Sequence, residues 1–264
     1  MRRFIPFLPK PPLVSVVRLS GTIGTGRSRL SDEATAPLIE RAFRKGKPAA
    51  VALLINSPGG SPVQSSLIAA RIRRLAAETA TPVYAFVEDV AASGGYWLAC
   101  AADEIWVDRS SIIGSIGVIS SSFGLHEFIA KQGIERRVYT SGDNKSTLDM
   151  FQPEKADDVA RIKVLQAAIH KAFIEHVQAS RKERLSTDKA LFTGEFWDGA
   201  RGIELGLADG IGHVVPTMKG RFGDKVRFVV YGPKRGWFDR LGRIAAEGAL
   251  QTLEERADLA RFGL

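Results

Sequence analysis

The first half of the chain contains five short runs of apolar and β-branched residues, each bounded by glycine, proline or polar residues. Runs of this length and composition are typical of β-strands, and those with few polar positions indicate strands buried on both faces. The predicted strands are residues 14–19, 51–55, 82–87, 104–107 and 116–119. A later run predicts one further strand at residues 226–230.

Helical periodicity appears between and after these strands. Residues 62–77 place apolar side chains on one side and arginines on the other. This helix has a marked start, with Ser61 as the N-cap, Pro62 at the first position and Gln64 completing a capping box. A longer helix is predicted over residues 155–181, where apolar residues recur every three or four positions. They are Val159, Ile162, Leu165, Ile169, Phe173 and Val177.

The alternation of strands and helices predicts an α/β fold with a largely parallel sheet. The 264 residues are enough for one large domain with a sizeable core. We expect a basic N-terminal segment at residues 1–12, one domain at 13–235 and an amphipathic, helical C-terminal arm at 236–264. The sequence contains no internal repeat and no low-complexity linker.

Composition limits the class of protein. Apolar residues make up 45% and charged residues 25%, as in ordinary globular proteins. The single cysteine, Cys100, excludes an intrachain disulfide, and its apolar neighbours predict a buried, inert thiol. No apolar run approaches the roughly 18 residues of a spanning helix, and residues 1–12 are too short and proline-broken for a secretory signal. A cytoplasmic protein without a transmembrane anchor is therefore expected.

The net charge is +8, and the basic residues are concentrated towards the two ends of the chain. The ordinary interpretation is a solvated surface. A second is peripheral contact with the anionic inner surface of a membrane. No zinc-ligand spacing, aromatic RNA-binding signature or basic heptad array indicates a nucleic-acid partner, and no metal site is predicted.

Three segments combine residue types that suit catalysis. They are residues 56–62 (NSPGGSP), 91–96 (AASGGY) and 141–146 (SGDNKS). The paired glycines of the first lie between a strand and a helix, where a backbone N–H such as that of Gly60 can approach an oxyanion. A plain strand-turn-helix junction is an equally good explanation of this segment.

The second segment permits a tight turn that exposes Ser93, with the N–H of Gly94 available to an oxyanion. A serine N-cap on a following short helix is the alternative interpretation. In the third segment Lys145 lies in a polar turn, where a lysine is ordinarily just solvated. Neither Ser93 nor Lys145 identifies a catalytic site by itself.

Together the three segments resemble the signal peptide peptidase A (SppA) family of serine peptidases, which have a ClpP/crotonase-like spiral fold of ββα units. Further matching segments are residues 114–118 (GSIGV), 192–194 (FTG) and 206–209 (GLAD), in the order of the family. The resemblance covers roughly residues 13–215. It implies that Ser93 is the nucleophile, that Lys145 is the general base and that Ser115 orients the lysine amine.

The resemblance also implies a ring-like homo-oligomer that cleaves signal-peptide remnants or other unfolded or short peptides, without a cofactor. A lysine acts as a base only when neutral, and its ordinary pKa is about 10.4. Lys145 is therefore expected to be desolvated, by apolar neighbours or by another subunit. The N–H groups of Gly60 and Gly94 would form the oxyanion hole.

Three alternatives remain open at the level of sequence. The order Ser93, Asp209, His213 fits an α/β-hydrolase triad, whereas His126, His170 and His176 fall in helix-like stretches and are expected on the surface. A crotonase-fold acyl-CoA enzyme would use Glu88 or Asp89 as its base. A non-catalytic scaffold could retain the fold alone.

Overall fold

The computed structural model describes residues 11–26, 29–232, 259, 260 and 262. The elements assigned there, in chain order, are β1 (Leu13–Ser20), α1 (Asp32–Arg44), β2 (Ala50–Ser57), α2 (Pro62–Thr79), β3 (Val83–Ala92), α3 (Gly94–Ala99), β4 (Glu104–Val107), β5 (Ile112–Gly114), α4 (His126–Lys131), α5 (Ala156–Arg181), β6 (Phe196–Asp198), α6 (Gly199–Glu204), β7 (Gly210–Ile211), α7 (Val214–Phe222) and β8 (Arg227–Tyr231). Two short 3₁₀ turns, Lys182–Arg184 and Lys189–Phe192, lie between α5 and β6.

The chain divides into two compact units. The sheet unit comprises Met1–Ile116 and Ile174–Leu264, and the insert unit comprises Gly117–Phe173. The predicted segments 1–12 and 236–264 lie almost wholly outside the described residues, so their assignment stays a prediction.

One sheet organises the sheet unit, with the strand order β6-β5-β3-β2-β1-β8, while β4 pairs with β3 and β7. Every pairing is parallel except that of β5 with β6. The predicted α/β fold with a largely parallel sheet is confirmed. Because parallel strands share one direction, the carboxyl ends of β1, β2 and β3 meet at the same edge, which is where sites of such sheets form.

The central strands are buried on both faces, which explains their nearly uninterrupted apolar sequences. On one face, Met218 of α7 packs with Val14 and Val16 of β1, Ala52 of β2 and Phe86 of β3. The helix α3 packs on β2, β3 and α2. The core therefore holds the end of β3 and the start of α3 rigidly in place.

The start of α2 agrees with the sequence only in part. The Ser61 side chain accepts a hydrogen bond from the Gln64 N–H, as expected of an N-cap. The reciprocal bond of a capping box is not made, because the Ser61 N–H donates to the Ile23 carbonyl oxygen at 2.9 Å. The Gln64 side chain instead accepts from the Asp32 N–H at 2.8 Å and joins the starts of α1 and α2.

The strand predicted at residues 116–119 is wrong. The strand at this point is β5, Ile112–Gly114, and it ends because Gly114 (φ +107°) and Ser115 (φ +53°) both adopt positive φ angles. A strand cannot continue through two such residues. The sequence pattern missed this end because Ile116 and Val118 continue the apolar run.

The insert unit contains α4 and the first part of α5. The N–H of Leu125, the N-cap of α4, donates to the carbonyl oxygen of Met150, which lies in the segment between the two helices, at 2.7 Å. The predicted apolar stripe of α5 is buried only near its C-terminal end, at Phe173 and Val177. Leu165 is 59% exposed, and Ile169 is also exposed. Among the described helices, none combines the length and the apolar composition needed to cross a membrane.

Candidate active site

Ser93 lies at the turn between β3 and α3. Its backbone angles are φ +52° and ψ −122°, a conformation that a residue with a β-carbon rarely adopts. The Ser93 N–H donates to the Gly114 carbonyl oxygen at 2.8 Å, which ties the turn to β5. Although Ser93 occupies the N-cap position of α3, its side chain makes no capping hydrogen bond. The turn thus presents the hydroxyl in the way a nucleophile elbow does.

The loop after β2 lies against this turn through Gly59. A β-carbon on Gly59, whose φ is +106°, would lie 2.7 Å from the Gly94 nitrogen and 2.8 Å from the Ser93 β-carbon. A β-carbon on Gly60 would instead lie 2.0 Å from the Ile23 carbonyl oxygen. Both positions therefore require glycine for a close backbone approach.

Backbone hydrogen bonds to Ile23 hold this glycine loop in place. The Ile23 N–H donates to the Gly59 carbonyl oxygen at 2.7 Å, and the Ile23 carbonyl oxygen accepts from Ser61. These bonds do not use the N–H groups of Gly60 and Gly94, the two predicted oxyanion donors. Gly94 follows Ser93 in the chain, and Gly60 follows Gly59, which lies against the Ser93 β-carbon. The sequence marked Gly59 as the first of the paired glycines but did not predict its contact with Ser93.

The glycines of α3 permit a second close approach. A β-carbon on Gly95 would lie 2.3 Å from the Ser57 carbonyl oxygen, and one on Gly94 would lie 2.4 Å from the Ser65 hydroxyl. The start of α3 can therefore sit directly against the end of β2 and the first turn of α2. This packing explains why two glycines follow Ser93.

Ser115 lies next to Ser93. The register of β3 and β5 pairs Ala92 with Gly114, so the residues that follow, Ser93 and Ser115, leave the sheet side by side. Ser115 is buried, and its N–H donates to the Glu195 carbonyl oxygen at 2.6 Å. The register therefore brings Ser115 close to Ser93 within the sheet unit, while its role toward Lys145 stays a prediction.

Lys145 belongs to the insert unit. It lies in a turn in which its N–H donates to the Gly142 carbonyl oxygen at 3.2 Å, as the polar sequence predicts. Its side chain is exposed in the single chain. Among the residues that the structure describes, none covers Lys145 enough to supply the desolvation expected of a catalytic lysine.

The residues behind Ser93 are buried. The ring of His176 stacks on Trp97 with centroids 4.9 Å apart, and its Nε2 donates to the Trp97 carbonyl oxygen at 3.0 Å. Burial lowers the pKa of His176. His176 is thus half-buried rather than fully on the surface as expected, because its ring packs on Trp97 of α3. Burial raises the pKa of the Cys100 thiol to about 12, in agreement with an inert cysteine.

The groups that the alternative mechanisms require are engaged elsewhere. The Asp209 carboxylate accepts from Arg181 and Arg184, whereas His213 lies 3.4 Å from Asp108, so Ser93, Asp209 and His213 do not form a triad.

The acids nominated for a crotonase-type base also have partners. Glu88 pairs with Arg18, and the Asp89 carboxylate accepts from Asn56. Over the described ranges, no group of three or more histidine, cysteine, aspartate or glutamate residues could hold a metal ion.

Comparisons with known proteins agree with this geometry. The model of peptidase family S49 matches residues 76–219, more than half of the chain. A Brucella melitensis protein named Na(+)/H(+) antiporter NhaA is 48% identical over the whole chain, which covers 39% of that protein. The probable protease SohB of Haemophilus influenzae is 29% identical over 92% of this chain and 68% of its own. The chain thus spans only about two fifths of the length of the Brucella relatives.

A putative signal peptide peptidase SppA of Enterococcus faecium is 34% identical over 62% of this chain and 47% of its own length. Among solved structures, the 1510-N membrane-bound stomatin-specific protease, as a lysine-to-alanine variant with a substrate peptide, has a TM-score of 0.53 at 15% identity. That likeness covers 93% of this chain and all of the other, and it supports the fold. The family match over more than half of the sequence decides the assignment. The chain belongs to peptidase family S49.

Proposed function

We propose that this chain is a serine endopeptidase in which Ser93 is the nucleophile and Lys145 is the general base. The observation that carries the proposal is the backbone of Ser93, held at φ +52° with its hydroxyl free of any capping bond. A strained serine at a strand-to-helix turn is costly as structure alone, and such strain is characteristic of functional sites.

The proposed reaction is acyl transfer to Ser93. Lys145 takes the hydroxyl proton as the oxygen attacks a peptide carbonyl, and the N–H groups of Gly60 and Gly94 donate to the oxyanion. Lys145 then protonates the leaving amine, and water hydrolyses the acyl-enzyme. Ser115, which leaves the sheet beside Ser93, would orient the lysine amine by a hydrogen bond.

Two observations support a lysine rather than a histidine as the base. His176 is committed to Trp97, and His213 lies beside Asp108. The 1510-N protease was solved as a lysine-to-alanine variant with substrate peptide and, in a second structure with a TM-score of 0.50 at 14% identity, as a serine-to-alanine variant. Serine and lysine are the two residue types proposed here.

We further propose that the active chain is a ring-like homo-oligomer. An exposed Lys145 needs a dry environment to act as a base, and a second copy would supply it. Large apolar side chains of the insert unit are available for such a contact. They are Ile119, Phe123, Phe128, Ile134, Val164 and Leu165.

Unfolded or short peptides, including signal-peptide remnants, are the proposed substrates. A peripheral site of action at an anionic membrane is supported by the basic ends of the chain and by the relatives named as an antiporter and as a membrane-bound protease. We expect sedimentation with phosphatidylglycerol vesicles at low salt and none with phosphatidylcholine vesicles. Absence of binding to both would contradict a direct membrane contact.

A fluorophosphonate probe tests the catalytic proposal directly. We expect the probe to label Ser93, and we expect Ser93→Ala and Lys145→Ala each to lower peptide hydrolysis by about a thousandfold or more. The matched controls are Ser110→Ala and Lys131→Ala, at exposed residues of the same two units. Unlabelled wild-type protein would favour a scaffold, and full activity of Lys145→Ala would exclude the dyad.

A further inference from the structure

The turn that carries Lys145 is held internally by few bonds. Besides the bond from the Lys145 N–H to Gly142, the Thr147 hydroxyl donates to the Asn144 carbonyl oxygen at 2.8 Å. Residues 141–151 form no helix or strand. The direction in which Lys145 points therefore depends on where the ends of this segment are attached.

The downstream attachment is a buried carboxylate on α5. Asp158 is only 5% exposed, and its Oδ2 accepts from the Leu148 N–H at 3.1 Å, three residues after Lys145. Its Oδ1 accepts from Arg161. Leu148 has a φ of +55°, so the backbone adopts a left-handed conformation at the point of attachment. The hydrogen bond from the Leu148 N–H, together with Arg161, lowers the pKa of Asp158 and keeps the carboxylate charged at neutral pH.

The hydrogen bond between Asp158 and Leu148 does not cap the N-terminus of α5. An acidic residue in the first turn of a helix normally faces the free N–H groups of its own helix. Asp158 instead accepts from an amide ten residues upstream and is buried in doing so. A bond from an ionised carboxylate to a backbone N–H is among the stronger protein hydrogen bonds, so it suits the fixing of a loop.

The space beside this hydrogen bond is not filled by apolar side chains that could hold the Lys145 turn in its absence. A cavity of about 160 Å³ is lined by Ser146 and Leu148 of the turn and by Asp158 of α5. The turn thus has space to move if the carboxylate is removed. The neighbouring Asp149 accepts from the Phe151 N–H and from Arg136, which lie in the insert unit but not on α5.

We infer that Asp158 is a positioning residue for catalysis, which holds the Lys145 turn to α5 through Leu148. This inference rests on the proposed role of Lys145 as the base. Asp158 itself touches neither the substrate nor Ser93 in this scheme. Its removal leaves Lys145 present but no longer held in one direction.

The test compares Asp158→Ala and Asp158→Asn with Asp157→Ala, the exposed neighbour in the same turn of α5. Misplacing a catalytic group by about 1 Å can cost on the order of a hundredfold, so we expect Asp158→Ala to lower kcat by about tenfold to a hundredfold with KM little changed. Asp158→Asn retains an acceptor for the Leu148 N–H and should recover part of the loss. Asp157→Ala should match the wild type.

A double-mutant cycle separates positioning from general destabilisation. The residual rate of fluorophosphonate labelling is compared in Lys145→Ala and in the double variant Lys145→Ala/Asp158→Ala, with thermal unfolding measured on each. Equal rates are expected, because Asp158 acts only through Lys145. A further loss in the double variant, or a wild-type kcat for Asp158→Ala, would overturn the inference and leave the proposed dyad standing. An active Lys145→Ala would overturn both.

Discussion

At the scale of single residues, Gly59 and Ser93 show how the backbone builds the site. Gly59 lies against the Ser93 β-carbon and the Gly94 nitrogen, and both Gly59 and Ser93 have positive φ angles. Neither residue can relax without moving the other, since Ile23 holds the glycine loop and Gly114 holds the Ser93 N–H. The geometry of the nucleophile thus depends on a residue that carries no side chain.

We predict that Gly59→Ala lowers both stability and the rate of Ser93 labelling. The added methyl group would clash with the turn at a positive φ, and strain of this kind costs about 1–3 kcal/mol of unfolding free energy. Thermal unfolding and fluorophosphonate labelling measure the two effects.

The matched control is Gly220→Ala in α7, where a β-carbon would meet nothing within 4 Å. This helix position should gain about 0.5–1 kcal/mol, because alanine is the better helix former. If Gly59→Ala labels at the wild-type rate, the close contact with Ser93 has no functional consequence.

At the scale of elements, the end of α5 is held to the sheet by an ion pair between the buried Arg181 and the half-buried Asp209. Arg181 is 1% exposed; it donates to both oxygens of Asp209, at 2.8 and 3.0 Å, and to the Gly206 carbonyl oxygen. Asp209 also accepts from the Ile105 N–H of β4. Arg184 donates to the same carboxylate at 3.0 Å, but its side chain is 44% exposed.

These two arginines provide a comparison on one carboxylate. Arg181→Met removes the buried partner and should cost about 3 kcal/mol of unfolding free energy, because the Asp209 charge loses its main compensation. Arg184→Met should cost less than about 1 kcal/mol, as for other exposed pairs. Chemical denaturation measures both variants, and equal losses would mean that burial does not decide the strength of this pair.

The start of a helix was predictable where neighbouring residues define it. The contacts of its side chains were not predictable where the partner lies elsewhere in the chain. The N-cap serine and proline indicated the start of α2, but the partner of Gln64 is the backbone of α1, which no local pattern reports. The end of β5 was missed because backbone angles, rather than hydrophobicity, terminate it.

At the scale of the whole molecule, the exposed apolar side chains of the insert unit bear on the proposed homo-oligomer. Leu165 is largely exposed on α5, on the apolar stripe that the sequence predicted for this helix. Exposed apolar side chains in groups of this kind mark interaction surfaces. An apolar stripe that is exposed to solvent in the single chain is consistent with the proposed homo-oligomer.

Leu165→Glu is therefore expected to reduce the oligomer to smaller species, because it places a charge in the proposed contact. The control is Lys163→Glu, which lies on the opposite side of α5 at 100° per residue. Light scattering coupled to size-exclusion chromatography measures the mass of each variant. An unchanged mass for Leu165→Glu, in a wild type that is itself oligomeric, would exclude this part of α5 from the contact.

The amino-acid sequence by itself determined the α/β class, the positions of β1 to β4, the extent of α2 and α5, and the candidate residues Ser93, Ser115, Gly60, Gly94 and Lys145. The elements follow from periodicity and capping residues, which act over a few neighbouring positions. The roles of Ser93, Ser115 and Lys145 follow from the order of several motifs along the chain, which resembles that of the SppA family.

Only the tertiary structure decided what these residues meet. It placed Gly59 against Ser93, stacked His176 on Trp97, paired Asp209 with Arg181, and joined the Lys145 turn to Asp158. The physical reason is that each contact joins residues from different elements or loops. Burial and hydrogen bonding in the folded chain, rather than the neighbouring sequence, decide which residues meet.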